Sequence, residues 1–80
     1  MNKEQYFIQN ARKHAPVEFN QCCIAVKKYQ VLKKQGLDRD EELGWSNQSF
    51  KVLTETLNFQ GNRELFRREL DEYVADTYEE

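Results

Sequence analysis

One proline and three glycines set the boundaries within which this 80-residue chain can fold: Pro16, Gly36, Gly44 and Gly61. Between these breaks the apolar residues recur about every 3.6 positions, the beat of a helix that buries one face. Strand-like alternation never runs beyond a few residues. The expected architecture is all-α: one domain, residues 1–80, folded as a compact bundle of four to five short helices around a central helix over about residues 16–35. A chain of this length holds a single core. With 39% hydrophobic and 32% charged residues it is too apolar to remain disordered.

The first helix is expected from Lys3 to about His14, with Tyr6, Phe7, Ile8 and Ala11 facing inward. Pro16 suits the first turn of the second helix, where a missing N–H costs nothing. Glu18 complements the dipole there, and Gly36 stops the helix. Phe19, Cys22, Cys23, Val26 and Tyr29 fall on one side of it; Ile24, Ala25, Val31 and Leu32 fall roughly opposite. Two apolar sides ask for cover on two sides, which is what makes this helix central. Asp38, with Glu41 three residues on, predicts a short third helix ending at Gly44. Ser46 or Asn47 is expected to cap a fourth, which runs to about Phe59 on a stripe of Phe50, Leu53, Thr54 and Leu57. Asn62 should cap a fifth, with Phe66, Leu70, Tyr73, Val74 and Thr77 inward and Arg67, Arg68, Glu69, Asp71 and Glu72 outside. Glu64–Arg68 and Arg68–Glu72 stand at the i, i+4 spacing of helical ion pairs. Tyr78, Glu79 and Glu80 read as a frayed tail.

Charge is unevenly distributed. Up to Gly36 there are seven Lys or Arg against two Glu, a balance of +5; from Leu37 on there are five basic residues against twelve acidic ones, a balance of −7. Such polarity either complements itself inside the fold or across a dimer, or it presents a patch to an oppositely charged partner.

Residues equipped for catalysis are few. Cys22 and Cys23 are adjacent on an apolar helix, which reads as two buried, reduced thiols. The one histidine, His14, lies near a helix end as a last-turn cation. His14, Cys22 and Cys23 fall short of a zinc ligand set. The Asp38–Glu42 run lacks the spaced ligands and central glycine of a calcium loop, and no glycine-rich phosphate loop is present. No enzyme, cofactor or metal is therefore expected. There is no apolar run of the ~20 residues a membrane span requires, and the first residues lack the apolar segment of a secretory signal; the expected location is the cytoplasm, without membrane association.

Leu43-Gly44-Trp45-Ser46-Asn47-Gln48-Ser49-Phe50-Lys51-Val52-Leu53 resembles the core of a helix-turn-helix. The resemblance implies a left-handed turn at Gly44, Trp45 as a plug between two helices, Ser46 as a cap, and Phe50 and Leu53 as inward anchors. Asn47, Gln48 and Lys51 would then lie on a recognition helix facing base edges. Arg39 and Asp40 depart from the motif, which has small or apolar residues there. The acidic surroundings also disfavour phosphate contact. In size and composition the chain resembles accessory proteins of phages and mobile elements, among them small inhibitors of host enzymes and transcription machinery. The run Asn47-Gln48-Ser49-Phe50-Lys51 is similar to a stretch of phage anti-sigma factors.

The leading expectation is a small non-enzymatic regulator that binds a larger protein by helix-face and charge complementarity. Its contact residues would be Ile24, Lys27, Val31, Leu32 and Lys34 on the outer side of the second helix. The alternative is a helix-turn-helix DNA-binding regulator. A homodimer is a further expectation, because a core this small supplies only roughly 3–5 kcal/mol.

Overall fold

The structure is a computed structural model that describes residues 3–37 and 39–77, with side chains from Phe7 onward. Four helices follow in order: α1 (Lys3–His14), α2 (Pro16–Lys34), α3 (Asp40–Leu57) and α4 (Arg63–Asp76). No strand occurs among the described residues. The Cα radius of gyration, 12.0 Å, is that of a close-packed chain of this length.

α1 and α2 are separated by a single residue. A proline disfavours helical backbone at the residue before it, and Ala15 accordingly sits at φ −143°, ψ 60°. Its amide still donates to the Ala11 carbonyl at 2.9 Å, and its carbonyl accepts from Phe19 N at 2.8 Å. Ala15 is itself buried, so the bend lies inside the core. α2 ends as expected at Gly36, whose φ of +75° lies in the left-handed region that favours glycine. The Leu37 amide reaches back to the Leu32 carbonyl at 2.8 Å and the Gly36 amide to that of Lys33 at 3.0 Å, closing a Schellman motif.

Gly44 does not break the chain. α3 runs through it from Asp40 to Leu57, so the expected third and fourth helices are one. A glycine inside a helix costs only about 1 kcal/mol relative to alanine. Gly44 faces solvent, while Glu42, Ser46, Leu53 and Thr54 keep the buried face continuous on both sides of it. Ser46 is therefore no cap. It lies in the helix interior, fully buried, and its Oγ donates to the Leu43 carbonyl at 2.8 Å. Asp38, the other expected cap, lies outside the described residues; the residue at the N-cap position is Arg39, with no side-chain capping bond. At the far end Asn58 adopts φ 52° and supplies the left-handed stop.

Asn62 caps α4 as expected, its Oδ1 accepting from Leu65 N at 3.1 Å. Phe66, Leu70 and Val74 are fully buried and Tyr73 half-buried, whereas Thr77 is exposed. The outer set shrinks: Glu69 is buried, Arg67 and Asp71 are half-buried, and only Arg68 and Glu72 are exposed. The ion pair on this helix is Arg67–Asp71, Nε to Oδ1 3.0 Å, in place of the two expected pairs through Arg68.

α2 packs along α3 and touches both α1 and α4, while α1 lies on α4. The central helix is thus the expected one; of its inward set Phe19, Cys22, Cys23 and Val26 are buried and Tyr29 is half-buried. Ala25, expected on the opposite side, is fully buried with them. Phe66 is the centre of the aromatic packing, with ring centroids 5.8 Å from Phe7, 5.3 Å from Phe50 and 4.8 Å from Phe59. These contacts tie α1, α3 and the α3–α4 connection to α4.

Candidate protein-binding face

The helical repeat turns about 100° per residue, so positions seven apart nearly superimpose. On α2 this aligns Val17, Ile24 and Val31. Val17 is 61% and Ile24 43% exposed, and Val31 is half-buried. They form an apolar line on the side of α2 turned away from Cys22 and Val26. Lys27 and Lys34 follow Ile24 at three and ten residues and flank the line on one side; Lys28 flanks it on the other. Of the five residues expected to meet a partner, Ile24, Lys27, Val31 and Lys34 therefore share one face. Lys27, half-buried, and Lys34 lie about 60° and 80° to one side of Ile24 and Leu32 about 80° to the other, toward α3, where Leu32 is half-buried and its carbonyl accepts from the Leu37 amide.

Sequence reasoning missed Val17 and Trp45. Val17 carries the same seven-residue spacing as Ile24 and Val31, a signal present in the chain. Trp45 and Val52, also seven apart, are 44% and 39% exposed on α3. Trp45, expected as a buried plug, faces outward because the turn it was to plug does not exist. It lines an open depression of about 360 Å³ together with Lys28, Arg39, Glu41 and Glu42. Four of the five residues lining it are charged, and Trp45 is the one apolar group it places beside Lys28 of α2.

The charges α2 itself brings to this face are one-sided, while α4 adjoins the Lys27–Lys34 flank, where Gln30 Nε2 donates to the Asp71 carbonyl at 2.9 Å. α2 carries Lys27, Lys28, Lys33 and Lys34 but a single carboxylate, Glu18, about 120° round from Ile24. Lys33 points elsewhere, its Nζ 5.8 Å from the centroid of the Tyr29 ring. The ion pairs among the described residues are Arg39–Glu42 at 2.7 Å and Arg67–Asp71. Both lie in the acidic half of the chain, and Lys27, Lys28 and Lys34 belong to neither.

Asn47, Gln48 and Lys51 lie in the middle of α3, all exposed. Without the turn at Gly44 they do not open a recognition helix. Asn47 Oδ1 accepts from Arg67 Nη1 at 3.0 Å. Arg67 also bonds Ser46 Oγ at 3.3 Å and lies 5.5 Å from the Phe50 ring centroid, so this part of α3 is where α4 is tied on. The two thiols are buried and free, and burial pushes both up to about 12. A protonated, enclosed thiol is a poor nucleophile and a poor metal ligand. His14 is exposed at the end of α1. No described helix is long and apolar enough to cross a membrane.

Compared with known protein families, curated proteins and solved structures, the chain matches none.

Proposed function

We propose that this chain is a small non-enzymatic regulator, of the kind phages and mobile elements make, that acts in the cytoplasm by binding a larger protein through the outer face of α2. The observation that carries the reading is the pairing of an apolar line (exposed Val17 and Ile24, half-buried Val31) with Lys27 and Lys34, which take no part in the ion pairs among the described residues. Apolar side chains bordered by charge are what specific protein contacts use: the apolar centre supplies affinity and the rim supplies selection and rate. The state of the thiols and the exposure of His14 favour binding over catalysis. The DNA-binding alternative rested on a corner at Gly44, and α3 is uninterrupted there.

The test uses the tagged full chain, captured from its native lysate with and without nuclease. The expected result is a stoichiometric protein partner that survives nuclease. It is lost with Ile24→Glu or with Lys27→Glu/Lys34→Glu and kept with Asn47→Ala/Gln48→Ala. Retention of the partner by the α2 variants, or capture that depends on nucleic acid, would overturn the reading.

A further inference from the structure

Resting on that reading, we infer that the element received by the outer face of α2 is an amphipathic helix of the partner with acidic residues along one flank. The shape of the face sets the first requirement. Val17 to Val31 spans about 21 Å at 1.5 Å per residue, the length of a helix of roughly four turns. α2 and α3 lie side by side, with Trp45 of α3 next to Lys28 of α2. A third helix laid along α2 meets the Val17–Ile24–Val31 line at its centre and, across Lys28, the ring of Trp45 at one edge.

Charge sets the second requirement. Lys27 and Lys34 stand on the flank away from Trp45, and no carboxylate of α2 shares their side. On the other flank the charge of Lys28 is offset by Glu41, which lines the same depression. The incoming helix therefore carries Asp or Glu on the side that meets Lys27 and Lys34, and neutral or basic residues on the side that meets Glu41. Nucleic acid fits less well, because it would press phosphates onto Val17, Ile24 and Val31 within a chain of net charge −2. An anionic membrane would bring like charge onto Glu41. In a second copy α4 does not match, since it exposes one large apolar residue, Leu65, with Arg68 among its outer charges; α3 would have to give up Trp45, which is already part of the receiving face, and a dimer formed that way is read out by sedimentation.

Trp45 is the only tryptophan and sits at the edge of the face, so its emission reports on occupancy. The probe is a tryptophan-free 18-residue peptide with Leu at i, i+3/4 and i+7 and Glu along one flank. It is compared with the same peptide carrying Lys for Glu and with a scrambled version. The glutamate peptide is expected to shift Trp45 emission to the blue and to bind more weakly as salt rises. Lys27→Glu/Lys34→Glu should weaken it by at least about tenfold, in proportion to two lost charge contacts. Ile24→Glu should abolish binding, and Lys33→Glu, on the other side of the helix, should leave it unchanged. Circular dichroism confirms that each variant is folded. The inference is overturned by absence of binding at ~1 mM peptide or by equal binding of the lysine peptide. It is also overturned by tighter binding of duplex DNA or of phosphatidylserine vesicles, or by a dimer in sedimentation that Ile24→Glu dissociates. If the lysate partner is lost with Lys27→Glu/Lys34→Glu while the glutamate peptide fails to bind, the choice of ligand falls and the binding face stands. If the partner is retained, both fall.

Discussion

Gly61 has no room for a methyl group: a Cβ built there would stand 2.8 Å from Phe59 Cζ. The ring cannot simply swing aside, because it is packed 5.5 Å from Phe7 and 4.8 Å from Phe66. Gly61→Ala should therefore cost about 1–3 kcal/mol, the usual penalty for overfilling a packed site, read as a fall in the urea midpoint at unchanged slope. Cys22 and Cys23 make a second testable point. An unfolded thiol titrates near 9.0 and the buried ones near 12. Below about pH 8 both states keep their thiols protonated and the thiols contribute almost no pH dependence. Between about 9 and 12 the unfolded chain releases protons that the fold retains, so stability falls as pH rises. Between about pH 8 and about pH 10 the parent should lose more stability than Cys22→Ala/Cys23→Ala, which lacks those two groups.

α3 distinguishes two local readings of the same glycine. If Gly44 stood in a left-handed turn, alanine there would be strained. In the observed helix Gly44 is exposed and an added Cβ meets nothing within 4 Å. Gly44→Ala should then stabilise the domain by about 0.5–1 kcal/mol and raise the thermal midpoint by several degrees, while a drop in the midpoint would restore the turn. The other boundaries were legible because their causes are local. Pro16 bends its own neighbour, Gly36 takes a backbone conformation other residues avoid, and Asn62 caps the turn that follows it. Gly44 was not legible, because whether a glycine breaks a helix depends on what the flanking turns bury, and Glu42 and Ser46 look like surface residues in the sequence. Glu69 escaped notice for the same reason. On α2 the seven-residue spacing brought Ile24, Lys27, Val31 and Lys34 together in the sequence. Trp45 could be added only once α3 was known to lie beside α2.

Phe66 holds the domain together, touching rings from α1, α3 and the connection before α4. Replacing a fully buried phenylalanine by alanine costs about 3–5 kcal/mol. That equals the roughly 3–5 kcal/mol a core of this size supplies. Phe66→Ala should therefore leave the chain largely unfolded at room temperature by circular dichroism, whereas Phe66→Leu should stay folded at a lower melting temperature. The same cluster joins α1 to α4, the first and last helices described. On the ribosome α2 and α3, linked over residues 35–39, have only a short loop to close. The aromatic centre must wait until Phe66 has cleared the exit tunnel. Until then Phe7 has at most the Phe59 ring to pack against, and the pace of translation through α4 sets how long it is open to chaperones and proteases.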